Sequence, residues 1–208
     1  AGSLLNAPDV YMDKIAIGPG YPKGTIDLDM SPEENLLSLA KAKGVKPSEI
    51  TALILERPRH QNLVDACRKV GAGIRFITDG DVAGVIFTAQ SESTGVDIYF
   101  GTGGAPEGVL AAAALRCVGG QFNGRLLFRN DDERGRARKW GIEDLNKIYK
   151  LEELAKGDCI FAATGVTDGS LLKGVKRLKD GLMTTQSVVM RASSGTVRWV
   201  SGEHRNKS

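Results

Sequence analysis

The chain has 208 residues, of which 41% are hydrophobic and 25% are charged, and its 28 basic and 25 acidic residues give a net charge of +3. This composition is that of a globular protein with enough apolar residues to form a core, and its charge is too balanced for a dedicated nucleic-acid binder. No stretch approaches the roughly 18 consecutive apolar residues of a membrane span, and residues 1–5 lack the basic and apolar regions of a signal peptide.

The three cysteines, Cys67, Cys117 and Cys159, are widely spaced, and no two of them form a CxxC pair. This spacing favours neither a disulfide framework nor a zinc site, and it is typical of a protein in a reducing cytoplasm. Cys67 and Cys117 fall within helical patterns, so we expect them to be small buried side chains.

The first half of the chain repeats a pattern of strand, loop and helix. The predicted elements are a strand over 12–17, a helix over 32–43, a strand over 51–55, a helix over 61–70, a strand over 74–78, a helix over 82–89, a strand over 96–100 and a helix over 109–116. Ser31 and Gly44 mark the two ends of the first helix. The alternation predicts an α/β fold with a largely parallel sheet flanked by helices.

The second half is less regular. We expect a strand or a helix end over 124–129, a solvated loop or helix face in the charge run 130–139, a buried strand over 158–163, a hairpin of 186–191 with 195–200, and a frayed tail over 202–208. No internal repeat or low-complexity linker divides the chain, so we expect a single α/β domain over residues 1–208.

Polar or glycine-rich segments follow three of the predicted strands. They contain Arg57, Pro58 and Arg59 in the first segment, Asp79, Gly80 and Asp81 in the second, and Gly104 and Glu107 in the third, which spans 101–108. Because the carboxyl ends of parallel strands meet at the same edge of a sheet, we expect these segments to form one cleft. Arginine forks bind phosphate, and carboxylates bind sugar hydroxyls or a metal. The set indicates a phosphorylated, hydroxyl-rich ligand, with Glu107 as the candidate ligand of a divalent cation.

Several of these residues also have a simpler interpretation. Asp81 is placed to cap the helix that follows it, and Glu107 is placed to favour the start of its helix with no ligand present. The glycines of 101–108 form a turn that suits either an approaching anion or close packing. Tyr11 either packs in the core or offers its hydroxyl to a ligand. These alternatives stay open from the residues alone.

Six short motifs together resemble those of the class II, GlpX-type fructose-1,6-bisphosphatases. They are residues 5–12 (LNAPDVYM), 57–60 (RPRH), 79–83 (DGDVA), 103–108 (GGAPEG), 123–126 (NGRL) and 163–167 (ATGVT). Each motif is weak alone, but their shared order and spacing cover essentially the whole chain. The resemblance implies the layered fold of the lithium-sensitive, metal-dependent sugar phosphatases. It also implies hydrolysis of the 1-phosphate of fructose 1,6-bisphosphate and, in some members, of sedoheptulose 1,7-bisphosphate.

The resemblance further implies roles for individual positions. The matching positions are Tyr11, Arg57 and Arg59, with Pro58 between the arginines, for the phosphate that is not cleaved; Asp79, Gly80 and Asp81 for sugar hydroxyls; Gly104 for a backbone contact with substrate; and Glu107 for a metal ion. The family often has lysine where Arg57 stands, which keeps the positive charge. The implied cofactor is Mn²⁺ or Mg²⁺.

The chain departs from the family in one respect. The family's Gly-Glu-Gly-Glu and Asp-Pro-x-Glu-Gly-Thr stretches, which supply most of its metal-binding acids, do not occur in these 208 residues. In the family these acids precede the motif at 5–12, so we expect the chain to be the C-terminal portion of such an enzyme, without a complete metal site.

The resemblance therefore favours the substrate-binding part of a cytoplasmic sugar-bisphosphate phosphatase of carbohydrate metabolism. We expect a homo-oligomer that interacts with neither nucleic acid nor membrane. A non-catalytic sugar-phosphate-binding module is the alternative that the missing acids permit. A dinucleotide-binding domain is a weaker alternative. Residues 101–104 (GTGG) resemble a Rossmann turn, but about 20 residues further on Asn123 and Gly124 offer no acidic ribose ligand.

Overall fold

The structure is a computed structural model that describes residues 3–205. Its strands are β1 (Tyr11–Ile17), β2 (Thr51–Leu55), β3 (Gly73–Ile77), β4 (Ile98–Gly104), β5 (Gln121–Leu127), β6 (Ile148–Lys150), β7 (Ile160–Thr164), β8 (Lys176–Arg177), β9 (Leu182–Arg191) and β10 (Thr196–Arg205). Its α-helices are α1 (Pro32–Lys43), α2 (Gln61–Val70), α3 (Asp81–Thr88), α4 (Ser91–Thr94), α5 (Ala105–Val118), α6 (Asp131–Lys139) and α7 (Leu151–Leu154). Short 3₁₀ turns occupy Pro47–Glu49, Pro58–His60 and Lys179–Gly181.

The larger sheet has six strands in the order β3-β2-β4-β1-β5-β6. Strands β3, β2 and β4 are parallel, whereas β1 is antiparallel to both β4 and β5, and β6 is antiparallel to β5. The predicted α/β class is confirmed, and the parallel part of this sheet consists of β3, β2 and β4. Because β1 runs against both neighbours, β5 points the same way as β4. The carboxyl ends of β2, β3, β4 and β5 therefore lie at one edge of the sheet.

Helices cover both faces of this sheet, so its strands are largely apolar on both sides. On one face, α1 and α2 pack Leu36, Leu39 and Val64 against Ile15 and Ile54. On the other face, α3 and α5 pack against the side chains that alternate with these along each strand. The residues of this second face include Met12, Ala16, Leu53, Tyr99, Val85, Ala112 and Leu115.

Local signals account for the ends of α1. The Ser31 hydroxyl accepts a hydrogen bond from the Glu34 backbone N–H at 3.2 Å, and the Glu34 carboxylate accepts one from the Ser31 backbone N–H at 2.7 Å. Such a cap contributes about 1 kcal/mol. At the other end, Gly44 has φ 74°, a left-handed conformation that glycine adopts readily. The predicted limits of this helix are confirmed.

The smaller sheet contains β7 to β10, all antiparallel, with β9 pairing with β10, β7 and β8. Val188 and Met190 of β9 pack against Ala113, Ala114 and Cys117 of α5. The hairpin prediction is confirmed, and both of its strands are longer than expected.

Three expectations about the second half need correction or completion. The strand predicted as buried over 158–163 is only partly so, since Phe161 is buried but Ile160 is 65% exposed at the surface. The expected frayed tail is wrong for residues 202–205, which pair with β9 as part of β10; residues 206–208 lie outside the described residues. In the segment left open as a strand or helix end, residues 124–127 belong to β5, and the charge run forms α6, capped by Asn130.

Cys67 and Cys117 are buried, as predicted, and burial raises the pKa of the Cys67 thiol to about 11. Across residues 3–205, no helix is long and apolar enough to cross a membrane.

Candidate functional site

The predicted site residues meet in a shallow cleft of about 340 Å³ at the edge where β2, β3 and β4 end. Seven of the nine line it directly, namely Arg57, Arg59, Asp79, Gly80, Asp81, Gly104 and Glu107. Tyr11 lies beside the cleft, with its ring centroid 5.5 Å from the guanidinium carbon of Arg59. Pro58 begins the 3₁₀ turn that carries Arg59. The shared strand edge brings together residues that are up to 96 positions apart, from Tyr11 to Glu107.

Backbone carbonyl groups hold both arginines of the first segment. Arg57 donates hydrogen bonds to the carbonyl oxygens of Glu56 at 2.8 Å and Thr78 at 2.7 Å. Arg59 donates two to the carbonyl oxygen of Thr102, at 3.2 and 2.5 Å. These bonds fix the guanidinium groups without neutralising them, and they leave N–H donors for an anion. The arrangement suits a phosphate group.

Arg129 also reaches this site, although the sequence did not single it out. Its guanidinium carbon lies 5.4 Å from the ring centroid of Tyr11, so Tyr11 contacts both Arg59 and Arg129. Arg129 follows β5, and Leu127 at the end of β5 is paired with Tyr11. The Arg129 guanidinium also binds the buried carboxylate of Glu133 at 2.5 Å, and hydrogen bonds from Arg129 lower the pKa of Glu133. The sequence did not predict that Arg129 reaches this site, because it did not give the direction of β5, which ends beside Tyr11.

His60 connects the ends of β2 and β4. Its Nε2 accepts a hydrogen bond from the Thr102 backbone N–H at 3.0 Å, and its Nδ1 lies 2.8 Å from the Leu55 carbonyl oxygen. Nδ1 therefore carries the proton of a neutral ring. The side chain is only 2% exposed, and burial lowers its pKa. His60 and the neighbouring Arg59 both bind Thr102, so the histidine helps to fix the position of the arginine.

Asp81 does not cap its helix, so that interpretation is wrong. The N-cap residue is Gly80, at φ 92°, and Asp81 is the first residue of α3. The Asp81 carboxylate instead forms an ion pair with the buried ammonium group of Lys14. Burial lowers the pKa of Lys14, and the negative charge of Asp81 acts against this effect. Asp79 is exposed at the mouth of the cleft.

The glycine-rich segment 101–108 is not a turn. Gly101 to Gly104 are the last residues of β4, and α5 begins at Ala105 without an intervening loop. None of these glycines has a positive φ, so packing explains them. A Cβ atom at Gly104 would overlap the carboxylate of Glu107, which is exposed in the first turn of α5. The glycines thus make room for charged side chains beside the cleft.

The residues present do not make up a metal site by themselves. Within residues 3–205, no group of three or more histidine, cysteine, aspartate or glutamate side chains is placed to hold a metal ion. Glu107 can offer one carboxylate, whereas hard divalent cations take about six oxygen ligands.

A second cavity of about 390 Å³ lies at the opposite edge of the sheet and is lined in part by Gln121 and Lys150. Its polar groups already bind one another. The Lys150 ammonium group donates to Asp27 and Asn123, at 2.7 and 2.5 Å, and the Gln121 amide donates to the Pro22 carbonyl oxygen at 2.7 Å. The cleft with uncompensated arginines is therefore the better candidate.

Comparisons with known proteins agree on one family. The profile described as bacterial fructose-1,6-bisphosphatase, glpX-encoded, matches residues 1–204. The chain is 40% identical over 216 residues to the D-fructose 1,6-bisphosphatase class 2/sedoheptulose 1,7-bisphosphatase of Synechococcus sp. (strain JA-3-3Ab), which covers 98% of the chain and 61% of that relative. It is 42% identical over 217 residues to fructose-1,6-bisphosphatase 1 class 2 of Escherichia coli (strain K12), covering 98% of the chain and 63% of that relative. The chain thus spans about three fifths of the length of these curated relatives.

Proposed function

Since the chain belongs to the family of bacterial, glpX-encoded fructose-1,6-bisphosphatases, we propose that it forms the substrate-binding cleft of an enzyme that hydrolyses the 1-phosphate of fructose 1,6-bisphosphate. The products are fructose 6-phosphate and phosphate. The observation that carries the proposal is the convergence of Arg57, Arg59, Asp79, Asp81 and Glu107 on one cleft. Sedoheptulose 1,7-bisphosphate is a further proposed substrate, because the cyanobacterial relative carries that name as well.

The arginines bind the phosphate group that stays on the sugar. Arg57 and Arg59 are held by carbonyl oxygens and have N–H donors left for a phosphate group, and the Tyr11 ring lies against the Arg59 guanidinium. Each charge-assisted hydrogen bond to phosphate contributes about 1.5–3 kcal/mol. Arg129 is the second arginine in contact with the Tyr11 ring, and Glu133 balances its charge. These groups position the substrate and do not themselves break the phosphate ester.

The carboxylates bind the sugar and orient its reactive end. Asp79 and Asp81 accept hydrogen bonds from sugar hydroxyls, and the backbone at Gly104 lies close enough to the cleft for direct contact with the substrate. Glu107 is the proposed ligand of a divalent cation, Mn²⁺ or Mg²⁺. Such a cation neutralises charge on the scissile phosphate and activates water when it is bound. Within residues 3–205, no cluster of three or more acidic, histidine or cysteine side chains supplies the other ligands of such a cation.

The alternative function is a non-catalytic module that binds sugar phosphates. The absence of a three-ligand metal cluster within residues 3–205 favours it. Release of inorganic phosphate from fructose 1,6-bisphosphate in the presence of Mn²⁺ distinguishes the two functions. A complete protein that binds the bisphosphate without releasing phosphate would support the module.

Arg59→Ala tests the binding mode. In the complete protein we expect KM for fructose 1,6-bisphosphate to rise and kcat to fall less, with a loss of roughly 10- to 150-fold in kcat/KM. Arg68→Ala is the matched control, because Arg68 is an exposed arginine of α2 outside the cleft. An unchanged KM in Arg59→Ala would exclude Arg59 from the phosphate site.

A further inference from the structure

Lys14 is a charged residue in an apolar layer. Along β1, Met12, Lys14 and Ala16 face the helices α3 and α5, and both Met12 and Ala16 are fully buried. Lys14 is 2% exposed. An ammonium group in such a place is far more costly than a methionine of similar length unless it is paired. Stability alone therefore does not explain a lysine at this position.

Two glycines of the segment 101–108 leave room for this lysine and its partner. A Cβ atom at Gly103 would overlap the Asp81 carboxylate and would lie 3.1 Å from the Lys14 Nζ atom. A Cβ atom at Gly108 would overlap the Met12 Sδ atom, at 2.5 Å, and would lie 3.2 Å from the Lys14 Cε atom. The same glycines that suggested a ligand-binding turn thus form the space in which Lys14 meets Asp81.

Lys14 and Asp81 differ in their access to the cleft. The Lys14 side chain is completely buried, whereas the Asp81 side chain is 11% exposed and lines the cleft. The Lys14 side chain therefore makes no direct contact with a ligand in the cleft, and the cleft residue to which it donates a hydrogen bond is Asp81. A carboxylate fixed by an ammonium group from behind keeps its other lone pairs directed at the solvent side, where sugar hydroxyls can donate to them.

We propose that Lys14 is a positioning residue, whose buried ammonium group holds the Asp81 carboxylate in the orientation that binds sugar hydroxyls. This inference rests on the proposed function of the cleft. It gives Gly103 a role, because a larger residue there would overlap the Asp81 carboxylate and disturb the pair. It also predicts that Lys14 affects recognition of the sugar and leaves recognition of phosphate unchanged.

The test compares binding of fructose 6-phosphate and of inorganic phosphate to the complete protein by calorimetry. Lys14→Met removes the ammonium group with little change in volume, and Asp81→Asn removes its partner. We expect each variant to weaken fructose 6-phosphate binding by about 10- to 100-fold and to leave inorganic phosphate binding unchanged. In the Asp81→Asn background, Lys14→Met should add less than about twofold, because the two residues act as one unit.

Two further variants separate positioning from stability. Lys43→Met breaks another lysine–aspartate pair, Lys43 with Asp97 at 2.6 Å, at the opposite edge of the sheet. It should lower the melting temperature without changing affinity for fructose 6-phosphate. Lys14→Gln keeps an N–H donor and should recover part of the affinity lost in Lys14→Met.

Several results would overturn the inference. These are unchanged fructose 6-phosphate affinity in Lys14→Met, a parallel loss of phosphate binding, losses that add up in the double variant, and loss of the fold in both Lys14 variants. A wild-type protein that binds neither ligand would overturn the proposed function and this inference together. Normal binding by both wild type and Lys14→Met would overturn the inference about Lys14 and would leave the proposed function of the cleft intact.

Discussion

Glu107 decides whether the cleft belongs to a metal-dependent phosphatase. It is an exposed residue in the first turn of α5, so it can ligate a cation or simply favour the positive end of the helix dipole. In the complete protein we expect Glu107→Gln to lower kcat by orders of magnitude, with partial recovery at high Mn²⁺, because the neutral amide is a poor ligand for a hard cation. The measurement is kcat as a function of Mn²⁺ concentration.

Glu34→Gln is the matched control for this variant. Glu34 occupies the same third position of a helix, α1, and takes part in its capping box away from the cleft. We expect it to lower stability slightly and to leave kcat unchanged. Normal turnover of Glu107→Gln at ordinary Mn²⁺ concentrations would exclude Glu107 as a metal ligand and would leave it a helix-start residue.

Residue type and position in the sequence predicted most of the side chains that meet at the cleft, but not all of them. Arg57, Arg59, Asp79 and Asp81 stand directly after predicted strands, and such positions can be recognised from a pattern. Lys14 could not be recognised in this way. It lies inside a strand whose apolar neighbours predict burial, and its partner is 67 residues away.

His60 links two elements, and its contacts predict a pH dependence of stability. The folded protein holds it neutral, since Nε2 must accept from Thr102 and burial lowers its pKa. The unfolded chain takes up a proton near pH 6.5, so the free energy of unfolding should decrease as the pH falls below about 6.5, towards the folded pKa. The limiting slope for one proton is about 1.4 kcal/mol per pH unit. Above about pH 6.5, neutral His60 makes its full contribution to the free energy of unfolding.

The measurement is denaturant unfolding between about pH 5 and 7.5, for wild type and for His60→Gln. His60→Gln should be less stable at neutral pH and should lose the part of the pH dependence that begins near 6.5. His204→Gln is the control, because His204 is exposed on β10 and bonds only to Thr185 among the described residues. A His60→Gln profile parallel to wild type would show that His60 does not titrate on unfolding.

At the level of elements, local signals predicted the longer helices of the first half, but they did not predict α4 or α7 and did not give the direction of the strands. Both limits of α1 follow from Ser31 and Gly44, and the end of α2 follows from Gly71, because caps act within one turn. The insertion of β1 between β4 and β5, antiparallel to both, depends on contacts distant in sequence. The segment 101–108 was predicted as a turn because glycines are common both in turns and where other atoms pack closely against the backbone. Here its glycines serve close packing.

Across the whole molecule, the two sheets share α5. Its buried residues pack on the six-stranded sheet through Ala112 and Leu115, and on β9 through Ala113 and Ala114. The cleft lies at the amino end of this helix, where Glu107 is found. Both the class of the fold and the edge that carries the cleft followed from the alternation of strands and helices. The packing of the smaller sheet on α5 did not, because the hairpin pattern does not specify its partner.

The final prediction concerns these 208 residues on their own. We expect them to bind fructose 1,6-bisphosphate weakly and to hydrolyse it negligibly. The cleft brings together guanidinium groups and carboxylates, the groups that we propose bind phosphate and sugar. Hydrolysis requires charge neutralisation and an activated water, and the described residues provide no cluster of three metal ligands for that purpose. We therefore expect this chain to show binding of the bisphosphate without measurable turnover.

The experiment uses a sample whose intact mass verifies that it contains only these residues. Phosphate release from fructose 1,6-bisphosphate is measured with Mn²⁺ at several concentrations, and binding of fructose 6-phosphate is measured on the same sample. Arg59→Ala is the control that should weaken binding by roughly 10- to 150-fold without loss of the fold, because Arg59 is exposed and its contacts are with the Thr102 carbonyl oxygen and the Tyr11 ring. Robust phosphate release that depends on Mn²⁺ would contradict the prediction. It would mean that Glu107 and its neighbours bind the cation without further acidic residues.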